Sequence, residues 1–480
     1  MSATRSGALR RLVAAVVALL LVPVGLAVSD VMSASGDSFP AATPPVTKCG
    51  KGSRPETGMQ GRVSPADYAS GRAAQGFLCN AKVVSHVPGT GGFKTLRYRD
   101  DSGHTCAFYD STRFFPTDAA MQLRDGFGVI VLDMTNPAKP VKTATLTSVA
   151  MLSPHESLLV HPGRGLLAAV MGNAFASLGI VDIYDVRTDC THPRLLSSTP
   201  SALLGHESGF SPDGLTFYAS STGGQTFTAI DVTDPAHPAK LFEQYGVNYH
   251  GLRLSPDGRT MYVANIGNDL SGGTLPGEGL RILDVSQVQD RVPNPQVTVL
   301  SNLTWSEGSI PQVAQPFTRK GRSYVLQVDE FARIGLGDPA DARVGAARII
   351  DVNDPRHPRV VSNLRLEVQQ PAARKATFGD TGAGNPLGGY TGHYCSVPYE
   401  KNPRIVACAM INSGLRLFDI SHLKHPREVG YVNLPAAGEG SSAMAQPAWD
   451  ARHRMVWFTD TGQGFFAIRL KHAARKLLRH

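Results

Sequence analysis

Five histidines stand at comparable places along the chain: His104, His155, His206, His250 and His393. Three share one context, reading HESLLVHPG from His155, HESGFSPDG from His206 and HGLRLSPDG from His250. In each, an apolar stretch and then a turn follow at the same offset. HTCAFYD from His104 and HYCSVPY from His393 fit that register more loosely. Recurrence at about fifty residues marks an array of similar units. One imidazole at the equivalent point of successive units predicts a ring of imidazoles, and such a ring can bind a transition metal such as copper, zinc or iron. His155, His206 and His250 are the expected central ligands. His104, His393 and Glu307 (in TWSEGS) are the candidates to complete the ring. Glu156 and Glu207 directly follow their histidines, so strand alternation turns them away from the channel, where each can orient a neighbouring imidazole.

Three neutral imidazoles with an open position are the usual form of a catalytic metal site. The competing reading is a water-filled channel whose histidines were copied with the repeat and bind nothing. His192, His237, His357 and His425 sit in the H-P of polar turns (THPRL, AHPAK, RHPRV, KHPRE) and are structural. Neither H-E pair has the second histidine of a zinc-protease helix, and no G-x-S-x-G elbow stands out. GAG within the Gly-rich stretch 378–392 lacks a following G-K-S/T, so no nucleotide cofactor is expected.

A second recurring element supplies the frame. GVIVLDMTNPAKPVKTATL (128–146), FTAIDVTDPAHPAKLFE (227–243), ARIIDVNDPRHPRVVSNL (347–364) and GLRLFDISHLKHPREVGYV (414–432) are four of six copies. Each is an apolar strand ending in Asp, then a polar turn with Pro, then another strand. The marker aspartates are Asp133, Asp185, Asp231, Asp284, Asp351 and Asp419, read as turn caps rather than catalytic acids. This element resembles the LVIVD repeat of secreted bacterial β-propellers, over roughly residues 81–470. The resemblance implies an all-β propeller and no particular activity. The placement of the histidines is also similar to that in the selenium-binding protein/methanethiol oxidase propellers, which implies copper held at the channel.

Counting blades gives six complete ones between about 104 and 434. A seventh ends at GQGFFAIRL (462–470) without its outermost strand. AKVVSHV (81–87) is an unused strand at the other end of the chain. Pairing it with 464–470 predicts a seven-bladed β-propeller closed by its N-terminal strand, which removes the open edges of an array, with six and eight blades as the alternative counts.

The net charge of +8 is misleading. Residues 1–29 and 469–480 hold eight basic side chains and no acid, so the chain between carries 39 of each sign. Such a body has no electrostatic footprint for nucleic acid. Residues 1–29, with Arg5, Arg10 and Arg11 before an apolar run, read as a signal peptide or an uncleaved signal anchor. Residues 30–80 form a Pro/Gly-rich extension, 367–392 a Gly-rich insertion that could act as a lid, and 471–480 a basic tail. Membrane contact is expected only through the N-terminal segment or that tail. Six cysteines in an exported chain point to disulfides. Cys395–Cys408 is the expected cross-strand bridge, Cys49–Cys79 a staple for the extension, and Cys106 and Cys190 remain as a pair or as free thiols.

Two function classes follow. One is a metal-dependent oxidoreductase or hydrolase acting on a small molecule at the channel mouth. The other is a monomeric, non-catalytic scaffold for a protein or envelope partner.

Overall fold

A computed structural model describes residues 33–35, 42–111, 127–172, 179–267, 278–305, 310–331, 344–383, 389–435 and 442–478. The signal-like segment 1–29 and Glu307 lie outside them. Within them, seven sheets of at least four strands are laid down in chain order. The chain is a seven-bladed β-propeller.

Each blade runs from an inner strand outward through three antiparallel neighbours. The inner strands are Thr95–Arg99, Leu159–His161, Ser208–Phe210, Tyr249–Leu254, Ile310–Arg319, Tyr394–Ser396 and Ala448–Asp450. The seventh blade takes its outer strand from the start of the chain. Ala81–Val87 pairs antiparallel with Gly464–Leu470, from Ala81 opposite Leu470 to Val87 opposite Phe465. This is the closure expected from the unused strand. Two further segments extend blades at the rim: Ser33–Ser35 pairs with Thr298–Thr304, and Phe77–Cys79 with Arg427–Asn433.

The recurring strand–Asp–turn–strand element forms the third and fourth strands of six blades. In all six, the marker aspartate accepts a hydrogen bond from the backbone N–H two residues on. Asp133 takes Thr135, Asp185 takes Arg187 and Asp231 takes Thr233, while Asp284 takes Ser286, Asp351 takes Asn353 and Asp419 takes Ser421, all at 2.8–3.0 Å. The repeated Asp is therefore a turn device, because its short side chain closes the turn that Pro then enforces. His237 and His357 lie exposed on their own turn aspartates, Asp234 and Asp354. Apolar faces of neighbouring blades meet in separate clusters, such as Leu158, Leu167 and Met171 of blade two against Phe108 and Val131 of blade one.

The N-terminal extension and the insertion are bound to blade six. Arg416, with its side chain wholly buried, pairs with Glu56 and with Glu428 at 3.1 Å, and its guanidinium lies 4.6 Å from the Tyr431 ring. Arg62 meets Asp380 at 2.7 Å, and Tyr390 Oη donates to the Val63 carbonyl. The described part of the insertion is thus tied to residues 56–63 at the rim. The tail also packs inward: Ala474, Leu477 and Leu478 join the core of blades six and seven, which uses up its apolar side.

All six cysteines are bridged, as Cys49–Cys79, Cys106–Cys190 and Cys395–Cys408. Three disulfides suit an oxidising compartment. Among the described residues no helix is long and apolar enough to cross a membrane. Cys106–Cys190 closes a loop with sequence separation 84 and Cys395–Cys408 one of 13. Chain-entropy scaling then makes the first worth about 4.5 kcal/mol and the second about 3. Replacing each pair by alanine should lower the denaturation midpoint in that order. Equal losses would show that native packing rather than loop length sets the effect.

Candidate functional site

The inner strands of all blades begin on one face, and residues at or just before those starts converge on the axis. His155, His206, His250 and His393 all arrive there. His155–His206 and His206–His250 are edge-to-face neighbours, with ring centroids 4.3 and 4.2 Å apart. His155 enters in a left-handed backbone conformation, φ 49°. Its side chain fits because residue 172 is glycine: a Cβ there would stand 2.4 Å from the His155 Cβ.

Two carboxylates complete the cluster. Glu156 Oε1 lies 3.2 Å from His393 Nε2, and Glu156 Oε2 lies 3.6 Å from His250 Nδ1 and 3.8 Å from His206 Nε2. Glu330 Oε2 is 3.2 Å from His393 Nε2, and its Oε1 is 3.1 Å from His250 Nε2. His206 Nε2 and His250 Nε2 are 2.8 Å apart. Ligand atoms bound at about 2.0–2.2 Å around one ion sit roughly 3–3.5 Å from each other, so these spacings suit a metal. His393 Nδ1 meets the Met444 carbonyl at 2.6 Å. A carbonyl only accepts, so Nδ1 carries the hydrogen and Nε2 is aimed at the carboxylates. Gln312 Nε2 and Tyr394 Oη donate to Glu156 Oε2 at 2.6 and 3.0 Å. Thr222 Oγ1 holds His206 Nδ1 at 2.9 Å.

The cluster is buried except at one side. The His206 side chain is 22 % exposed, whereas those of His250, His393, Glu156 and Glu330 are at most 4 %. Burial opposes charge on every member, yet the partners decide the sign. For Glu156, burial is outweighed by the charge of His250 and by the hydrogen bond and charge of His393, which hold its carboxyl well below the usual range. For His393, burial is overcome by Glu156 and Glu330, and the imidazole is pushed up to about 10. His206 goes the other way, because burial and the charges of His250 and His155 act together to keep it neutral.

Beneath this layer lies a second one. Lys94, wholly buried, pairs with Glu207, donates to Gln446 Oε1 at 3.1 Å and stands 4.1 Å over the Tyr394 ring. Arg253 Nη1 reaches Glu207 Oε2 at 2.9 Å. Burial lowers the Lys94 ammonium to about 8, against the pull of Glu207. Below Arg253 a cavity of about 380 Å³ opens at the other end of the channel, lined by His161, Phe210, Leu254 and Pro316. It lies at the far ends of the inner strands.

No protein-family model matches the chain, and no curated protein matches it. Among solved structures, Kuenenia stuttgartiensis hydrazine synthase aligns with a TM-score of 0.50 at 12% identity, over 81% of this chain and 98% of that one. A protein from Lactobacillus plantarum aligns with a TM-score of 0.50 at 12% identity, over 74% and 89%. The periplasmic gluconolactonase of Pseudomonas aeruginosa aligns at 0.45 and 14% identity, over 70% and 85%. The likeness of the first two is one of fold.

The structure therefore brings together four of the five histidines picked from sequence. His104 is elsewhere. Blade one begins with Thr95–Arg99, and His104 follows that strand, so it belongs to the opposite face, where it binds Asp100 at 3.0 Å. The places equivalent to His155 and Glu156 are Phe93 and Lys94; Phe93 stands edge-on to His155 with centroids 4.7 Å apart. Glu156 also departs from expectation. The left-handed turn at His155 breaks the alternation, and the regular strand starts only at Leu159, so the carboxylate points into the cluster. Glu207 does not turn away either: it lies in the channel's second layer, where it holds Lys94 and Arg253 rather than an imidazole. Glu330, at the end of Arg322–Glu330, was missed. Its signal was faint: the second strand of a blade ends on the face where the first begins, and VDE places acids there.

Proposed function

We propose that this chain is an exported propeller of the LVIVD-repeat type that holds a divalent transition-metal ion on His250, His393, Glu156 and Glu330, with His206 at the open side. The observation that carries the reading is His393. Its Nδ1 hydrogen is committed to the Met444 carbonyl, and its Nε2 faces two buried carboxylates at 3.2 Å. Metal-binding imidazoles are oriented in this way by a backbone acceptor. Mixed imidazole and carboxylate donors favour zinc, iron or manganese over softer ions. With all six cysteines bridged, no thiolate competes.

A bound ion there would polarise an oxygen-bearing small molecule or activate a water. Both uses need an open position, and His206 is the most exposed of the described cluster residues. Gln312 and Tyr394 fix the Glu156 carboxylate, so the donor set is preorganised before any ion arrives.

Elemental analysis of the purified protein tests this. About one or more equivalents of metal per chain is expected, together with a lower unfolding temperature after chelation, since a ligand of the native state alone stabilises it. Protein that isolates without metal, and whose unfolding temperature zinc, iron, manganese and copper all leave unchanged, would defeat the reading. Uptake should also release protons. Below about pH 10 His393 holds a proton that an ion must displace. Affinity should therefore rise with pH between 6 and 8, as read by calorimetry in buffers of different ionisation heat.

A further inference from the structure

We infer that the centre holds two divalent ions bridged by Glu156. This rests on the metal-binding reading above and extends it. A structural or catalytic zinc uses four protein donors at most. Six potential ligand residues converge here, and they fall into two groups. His155, Glu156 and His206 offer donor atoms that all lie within 4.8 Å of one another, and so do Glu156, Glu330 and His393. Glu156 is the member common to both.

Its two oxygens divide between them. Oε1 faces His393 at 3.2 Å, beside Glu330, while Oε2 faces His206 at 3.8 Å and His250 at 3.6 Å. A carboxylate placed this way can give one oxygen to each ion once Oε2 exchanges the Gln312 or the Tyr394 hydrogen bond for the metal, and paired ions in enzymes stand about 3.5–4 Å apart. His250 Nε2 lies between the groups, 2.8 Å from His206 Nε2 and 3.1 Å from Glu330 Oε1.

The groups differ in access. His393, Glu330 and Glu156 have side chains no more than 4 % exposed, so theirs is the closed position. His206, at 22 %, makes the other the exchangeable one. Two divalent ions exceed the charge of two carboxylates. The pair therefore also needs an anion on the His206 side, a hydroxide or an anionic group of the substrate.

The test is a titration of chelator-stripped full-length protein with Zn²⁺ and, separately, Co²⁺. Wild type should take two equivalents, the second more weakly, and two Co²⁺ should couple magnetically. His206→Ala and His155→Gly (glycine accepts the positive φ) should each take one equivalent and show no coupling. Their metal-free unfolding midpoints check that they fold, and the wild-type stoichiometry stands whether or not they do. A wild type that saturates at one equivalent overturns the pair and leaves the single-ion reading in place. A wild type that takes up neither metal overturns both.

Discussion

Glu156→Gln should weaken divalent-metal binding more than any other single substitution in the cluster. The glutamine keeps the shape and loses the charge that His250 and His393 face at 3.6 and 3.2 Å. Removing one partner from a buried charged group costs about 3–5 kcal/mol, which is a loss of roughly two to four powers of ten in affinity. The same variant makes a prediction for the metal-free protein. The Glu156 carboxyl is held below its ordinary value, so it contributes stability above pH 4.5 that is lost as pH falls through its folded value. His393 is raised, so its share is complete below pH 6.5 and is lost as pH climbs through about 10. Glu156→Gln should flatten the acid side of the stability profile, measured by denaturant midpoints from pH 3 to 7. An unchanged acid limb, with metal affinity intact, would remove Glu156 from the site.

The second large effect is expected far from the axis. Arg416→Met should destabilise the protein by about 3–5 kcal/mol, because it strands two buried carboxylates that pair with no other cation among the described residues. Glu428 is fully buried, and Glu56 anchors the extension to blade six through the same guanidinium. The side chains of Glu56→Gln and Glu428→Gln remove the stranded charge. Adding both to Arg416→Met should recover most of the loss. A triple variant no more stable than Arg416→Met would show that the stacking on Tyr431, rather than the charges, holds this corner.

The fold was legible because a propeller writes its period into the chain. Pro and Asp mark each outer turn, apolar runs mark each strand, and a missing seventh outer strand leaves AKVVSHV as its only match. The site was legible in part. Three HE or HG contexts with one offset led to His155, His206 and His250, and His393 joined them by register. What failed did so where a blade departs from the average. Blade one carries Phe93 and Lys94 at the repeated position, so a search for histidine slid along to His104 and placed it on the wrong face. Glu156 was misjudged because alternation holds only inside a regular strand, and the chain at His155 is left-handed. Glu330 was invisible because it reaches the axis from a second strand, through a contact that sequence spacing does not encode.

Joining Ala81–Val87 to Gly464–Leu470 also sets the order of events in folding. Nearly the whole chain separates the two partners, so this contact is among the most non-local in the molecule, and such contacts form late. Before it forms, the emerging protein is a curved stack with a bare edge at each end, the state in which strands find partners on other molecules. The entropy of bringing the ends together grows only with the logarithm of the length between them, so the finished ring gives up little for its distant clasp. The vulnerability is one of time: a chain stopped a few residues short of Gly464 is not a slightly smaller propeller but one that can never shut.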